Sequence, residues 1–171
     1  MKQKSRGPFS RQKTEHHFAE LIAKKTKLYL AHTPDTYHIR YALIDRISGD
    51  ISAWLETVSR SGSPLPEFPL SLSIWMNGIE LVQETGKPFI IGYQWDQRNF
   101  LLQIQGDHLP MVLVEKMAST TGSPDYYAGS NLQDHSLPPD SHIAQHTSRK
   151  NYPGDYVVRI PGKLFYAQSD I

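Results

Sequence analysis

Cysteine is absent from the 171-residue sequence, which excludes disulfide bonds, thiolate metal sites and cysteine nucleophiles. Long apolar runs are absent as well, so no segment reaches the length needed to cross a membrane, and we expect no membrane contact. An excess of charge of one sign is also lacking, because 18 basic residues face 17 acidic ones and leave a formal net charge of +1. Any binding of nucleic acid or anionic lipid must therefore depend on local patches of charge.

Signatures of the common cofactor and nucleotide sites are missing too. The sequence has no G-x-G-x-x-G, P-loop, G-x-S-x-G or EF-hand pattern, so it gives no support to dinucleotide, nucleoside-triphosphate, hydrolase or calcium functions. We accordingly predict no cofactor and no metal. The basic N-terminus has no apolar segment behind it, which argues against a signal peptide and favours a soluble protein in the cytoplasm.

What the sequence does contain is one clearly marked helix. Apolar residues recur along it at steps of three and four: Leu72, Trp75, Ile79 and Val82. Polar residues occupy the opposite side: Asn77, Glu80, Gln83 and Glu84. This pattern predicts an amphipathic helix with Ser71 as its N-cap. We expect it to end at Gly86, which can adopt the left-handed conformation, ahead of Pro88.

Two alternating stretches after this helix predict a β-hairpin. If the four polar residues 96–99 form its loop, Trp95 faces Phe100 and Tyr93 faces Leu102, and every large apolar side chain lies on one face. The helix and the hairpin each have one apolar face and no other partner nearby in sequence, so we expect them to pack on each other. Burial of seven such side chains contributes about 10 to 20 kcal/mol before chain entropy is subtracted.

The N-terminal region divides into a basic arm and a second helix. Residues 1–13 carry basic side chains without an acidic one, which is typical of a flexible arm. From Thr14 as N-cap, the spacing of Phe18 and Ile22 predicts a short amphipathic helix that ends near Thr26, with Glu15 on its solvent side.

The segment 37–58 fits two structures. Its apolar residues can share one face of a helix, yet Gly49 between two alternating stretches is typical of a short hairpin loop. We prefer the hairpin because its register places Arg40 opposite Glu56, which gives one face a charge pair. The sequence alone does not decide between hairpin and helix for this segment.

The rest of the chain completes a small sheet. Residues 59–69 contain three prolines and predict a linker loop. A short strand at 111–114 would add to the hairpin as a three-stranded antiparallel meander. A long irregular loop spans 119–154, which is unusual inside a compact domain. A strand at 155–160 and the apolar residues that follow Gly162 would close the sheet.

These elements give the fold class α+β. We predict a small antiparallel sheet of about five to seven strands packed against two principal helices, with one long irregular loop. Residues 1–13 form the flexible basic arm and residues 14–171 a single domain, since the length suits one domain of ordinary size.

Candidate nucleic-acid-binding residues lie in the arm and around the long loop. Basic side chains can neutralise phosphates, and tyrosine rings can stack on bases. The predicted contacts are Lys2, Lys4, Arg6, Arg11, Lys13, Tyr126, Tyr127, Arg149, Lys150 and Arg159. They predict an accessory protein that binds nucleic acid through local basic patches.

Two other functions are left open. His142 and His146 stand four residues apart, and Arg149 and Lys150 could stabilise developing negative charge nearby, so the histidines could act as acid and base in metal-independent phosphodiester cleavage. An exposed patch without a sequence signature could instead make the chain a protein-interaction module, such as an inhibitor or assembly factor. The sequence leaves open whether the protein is an enzyme, whether its partner is nucleic acid or another protein, and its oligomeric state.

Overall fold

The computed structural model describes residues 8–106, 109–116 and 156–168. Two α-helices and nine strands lie in this part of the chain. The helices are α1 (Pro8–Thr26) and α2 (Leu72–Thr85). The strands are β1 (Tyr29–His32), β2 (Tyr41–Ile44), β3 (Ile51–Arg60), β4 (Glu67–Ser71), β5 (Phe89–Trp95), β6 (Arg98–Ile104), β7 (Leu113–Lys116), β8 (Tyr156–Pro161) and β9 (Tyr166–Gln168).

Six of the strands form one mixed sheet in the order β1-β2-β3-β5-β6-β9. Its central pair, β3 and β5, is parallel, and its other neighbours are antiparallel. The remaining described strands form a three-stranded antiparallel sheet in the order β4-β8-β7. The predicted α+β class is confirmed. The predicted meander is wrong, because β9 occupies the edge of β6 and β7 pairs with β8 instead.

Helix α2 covers one face of the large sheet, as predicted. Trp75 and Ile79 share one buried cluster with Phe89 and Tyr93 of β5. Gly78 allows the close approach, because a Cβ atom at this position would lie 2.1 Å from Cε1 of Phe89. The second sheet packs against the same face, since residues of β4 and β8 belong to the same cluster.

The predicted limits of α2 are confirmed, whereas two details of its surface differ. Gly86 ends the helix with φ of 65°, and its amide donates to the carbonyl oxygen of Val82 at 2.9 Å. Ser71 precedes the helix without a side-chain capping bond. Asn77, predicted on the polar side, is buried, because α2 contacts strands of both sheets.

The hairpin of β5 and β6 is confirmed, with a tighter loop than predicted. Tyr93 pairs with Phe100 rather than Leu102, so the register differs from the prediction by two residues. A shift of two leaves every side chain on its predicted face, because side chains alternate with period two. Asp96 in the loop adopts φ of 51° and accepts a hydrogen bond from the Gly62 amide at 3.0 Å.

The segment 37–58 contains the preferred hairpin, formed by β2 and β3. Gly49 lies in its turn with φ of 76°, as the sequence predicts. The linker predicted for residues 59–69 is partly wrong, because β3 runs to Arg60 and β4 includes Pro69. Proline is tolerated there because β4 is an edge strand of its sheet.

Helix α1 covers the opposite face of the large sheet. Phe18 and Ile22 pack in a second buried cluster with Leu43 of β2. Gly92 allows this contact, because a Cβ atom there would lie 2.9 Å from Cε1 of Phe18. The helix ends at Thr26 as predicted but begins at Pro8, so Thr14 is not its N-cap and the second half of the predicted arm is helical.

The irregular loop predicted for 119–154 lies outside the described residues. Neither helix in the described ranges is long and apolar enough to span a membrane.

Candidate anion-binding cleft

The candidate site lies where β3 extends beyond β2. Strand β3 has ten residues and β2 has four, so the last part of β3 has no partner from β2. Helix α1 supplies bonding groups there: Glu15 Oε1 accepts from the Ser59 amide at 3.0 Å, and the Glu15 carbonyl oxygen accepts from Thr57 Oγ1 at 2.9 Å. These bonds fix the N-terminal half of α1 at the open edge of β3.

Arg40 connects this edge to two buried carboxylates. Its Nε donates to Oε1 of Glu56 at 2.5 Å, and its Nη1 donates to Oε2 of Glu15 at 2.7 Å. Its Nη2 donates to the carbonyl oxygen of Thr57, and its backbone amide donates to Oε2 of Glu56 at 3.0 Å. Hydrogen bonds between ions are stronger than neutral ones, so Arg40 holds α1, β3 and the start of β2 together.

Burial and neighbouring charges shift the pKa values of the groups in this network. Burial alone would raise the pKa of Glu15, but the Ser59 amide and the guanidinium groups of Arg40 and Arg11 outweigh it and lower that pKa. Glu56 is more deeply buried, and there burial prevails over the attraction of Arg40 and raises the pKa. Burial disfavours the charge of Arg40, yet the two carboxylates raise its pKa above the ordinary value. Arg40 therefore remains cationic.

A cleft of about 660 Å³ lies beside this network. Side chains from α1, the segment before β2, β3, β4 and the first turn of α2 form its walls. The lining residues are Arg11, Gln12, Glu15, His38, Arg40, Glu56, Val58, Arg60, Pro69, Leu70, Ser71 and Ile74. Its volume lies within the range of about 300 to 1,000 Å³ that is typical of small-ligand sites.

The cleft has a small positive excess, since three arginines and two glutamates line it and 3 − 2 gives +1 with histidine neutral. Glu15 and Glu56 carry −2 against the +1 of Arg40, and Arg11, which also pairs with Glu15, balances the difference. Arg11 uses only its Nε toward Glu15, at 3.1 Å, and 45% of its side chain is exposed. Arg60 forms no ion pair with a carboxylate of the described residues. Arg11 and Arg60 thus retain N–H groups for an anion.

The start of α2 adds to the positive potential of the cleft. Ser71 and Ile74 place its first turn at the cleft wall. That turn contains no acidic residue, and the Ser71 side chain makes no capping bond. The N-terminus of a helix carries a partial positive charge that favours anions, so it acts in the same direction as the arginines.

Three of the predicted nucleic-acid contacts are among the described residues. Arg11 lines the cleft, and Lys13 is exposed on α1. Arg159 of β8 donates to Glu115 of β7 at 2.9 Å, so its charge is paired within the second sheet. The other contacts and the histidines proposed for cleavage lie outside the described residues and stay predictions: Lys2, Lys4, Arg6, Tyr126, Tyr127, His142, His146, Arg149 and Lys150.

Sequence reasoning missed most of the cleft. Glu15 was expected in solvent, yet it is buried at the head of the series with Phe18, Ala19 and Ile22. This spacing of i, i+3, i+4 and i+7 is that of an inward-facing helix stripe, so the signal for Glu15 was present. Arg60 had no comparable signal, because α1, β3 and β4 approach one another only in the folded chain.

Metal ligands and similarity to known proteins give no further indication of function for the described part of the chain. No group of three or more histidine, aspartate or glutamate side chains in the described part of the chain could hold a metal ion. His16 and His32 stack with ring centroids 5.3 Å apart. In comparisons with known proteins, the chain matches no protein-family model and no curated protein.

Proposed function

We propose that this protein is a nucleic-acid-associated accessory protein whose cleft binds backbone phosphates. The observation that carries the proposal is that Arg11 from α1 and Arg60 from β3 line one cleft, each with N–H groups to spare. Planar guanidinium groups match the oxygens of a phosphate and can bind it through two parallel hydrogen bonds.

The remaining charges of the site favour binding over catalysis. Arg40 engages the carboxylates of both Glu15 and Glu56, so neither is free to serve as a general base. Further positive charge is close in sequence, because Lys13 lies on the exposed face of α1 and three basic residues precede the helix. A local patch of this kind can attract phosphates although the net charge of the chain is only +1.

The test is the affinity for labelled single-stranded DNA and RNA, measured by fluorescence anisotropy across a series of salt concentrations. Affinity should fall steeply with salt, because each phosphate contact releases counterions. Arg11→Ala and Arg60→Ala should each weaken binding to every sequence about equally and reduce the slope of log affinity against log salt by about one.

Arg46→Ala is the matched control. It removes the same charge at the turn before β3, and the ten residues of that strand separate it from Arg60 by about 30 Å. We expect its affinity and salt slope to equal those of the parent. Absence of binding to either nucleic acid at low salt would contradict the proposal and favour the protein-interaction alternative.

A further inference from the structure

The wall of the cleft brings together groups from separate parts of the chain. Four separate stretches of the chain contribute to its wall, in α1, before β2, in β3 and across the junction of β4 with α2.

The walls of the cleft differ in chemistry. Arg11 and Arg60 provide cationic groups, whereas Val58, Leu70 and Ile74 provide apolar surface. Val58 and Leu70 are nearly buried, with 6% and 3% of their surface exposed, so the half-buried Ile74 supplies most of the accessible apolar surface. A nucleotide has the same two parts, an anionic phosphate and a largely apolar base face.

The phosphate at the end of a strand carries more negative charge than a phosphate in its interior. A phosphomonoester carries about −1.5 to −2 at pH 7, whereas each phosphodiester of the backbone carries a single negative charge. Arg11 donates to Glu15 through Nε alone, which leaves both Nη groups for phosphate oxygens. Arg11 and Arg60 together offer two guanidinium groups. These two cations attract a dianion more strongly than a monoanion.

We propose that the cleft holds the phosphorylated end of a nucleic-acid strand, with the terminal phosphate between Arg11 and Arg60 and the terminal nucleotide against Ile74. The inference rests on the proposed function and names the part of the nucleic acid that this site binds. A terminal phosphate can stand at the 5′ or the 3′ end, and the two share the same chemistry.

The experiment compares oligonucleotides of one sequence that differ only at their ends. A 5′-phosphorylated form, a 3′-phosphorylated form, a form with two hydroxyl ends and a circularised form are titrated against the full chain, with an internal fluorophore. One phosphorylated form should bind about tenfold more tightly than the hydroxyl and circular forms, as expected for a hydrogen-bonded charge pair. Arg60→Ala should reduce this preference to within about twofold, while Arg46→Ala keeps it.

The outcomes separate this inference from the proposed function. Equal affinity for all four forms would overturn the end preference and leave backbone binding intact. No binding to any form would overturn both. Arg60→Gln serves as a second variant, since it keeps most of the side chain, and circular dichroism checks that each variant is folded. Full preference in a folded Arg60→Gln variant would also overturn the assignment of the terminal phosphate to this cleft.

Discussion

Arg40 illustrates how one residue sets the charge of the cleft. Its guanidinium group touches Glu15 of α1 and Glu56 of β3, which stand 25 and 16 residues away in the sequence. Removing one partner of a buried ion pair leaves an uncompensated charge and is destabilising. The network therefore holds the wall of the cleft in place and keeps both carboxylates occupied.

Glu15→Gln should lower the free energy of unfolding by about 1 to 3 kcal/mol at neutral pH, because Arg40 loses one of its two anions. The pKa of Glu15 is lowered in the folded protein, so the folded state binds fewer protons than the unfolded state. The stability from this group is present above the ordinary pKa of glutamate and is lost as the pH falls through the lowered value. Urea unfolding at about pH 7 and about pH 3 should show the difference between parent and variant shrinking in acid.

Glu84→Gln is the control for this change, because Glu84 is exposed on α2 and its substitution should alter stability by less than about 0.5 kcal/mol. A gap between the parent and Glu15→Gln that widens in acid would contradict the assigned role of Glu15.

At the scale of elements, the contact of α2 with β5 depends on one glycine. Gly78→Ala should destabilise the protein by about 1 to 3 kcal/mol, because the new methyl group would overlap the Phe89 ring. Alanine is favoured over glycine in an isolated helix by about 1 kcal/mol, so the steric effect opposes the intrinsic preference. Thermal and urea unfolding measure the net change in stability.

A second substitution distinguishes steric overlap from other causes. Phe89→Leu in the Gly78→Ala background should recover part of the loss, because a smaller side chain makes room for the methyl group. Gln83→Ala, on the exposed side of the same helix, should be nearly neutral. A Gly78→Ala variant more stable than the parent would show that α2 and β5 are not in close contact.

The hairpin of β5 and β6 shows what a pattern of alternating residues can specify. It fixes which face each side chain occupies, because a slip of one residue would turn the apolar face to water. It does not distinguish registers that differ by two, and the predicted and observed loops differ by that amount. The choice is made by the turn, where Asp96 accepts a bond from Gly62, a residue of the segment between β3 and β4.

For the whole molecule, the arrangement of layers predicts where stability is greatest. Strands β3 and β5 lie at the centre of the large sheet with paired strands on both sides, and α1 and α2 contact both of them. Amides of these two strands should exchange most slowly with solvent, whereas those of the edge strands β1 and β9 should exchange faster. Hydrogen exchange followed by nuclear magnetic resonance or mass spectrometry measures this order. Protection as high in β1 as in β5 would contradict it.

The parts of the fold that could be predicted are those with a local cause. Helix α2 was bounded correctly because Gly86 supplies a left-handed residue at its end. The hairpin of β2 and β3 followed from the turn at Gly49 and from the charge pair of Arg40 with Glu56. The start of α1 was missed because Thr14 resembled a cap although the helix begins at Pro8.

The sequence by itself determined the α+β class, the limits of α2 and the apolar faces of the central strands, since periodicity and turn residues act between neighbours in the chain. Only the tertiary structure decided the parallel pairing of β3 with β5, the separate sheet of β4, β7 and β8, and the cleft. Arg11 and Arg60 stand 49 residues apart in the sequence, and nothing in the local pattern of either predicts the other. They line one cleft because α1 binds the edge of β3 that β2 leaves uncovered.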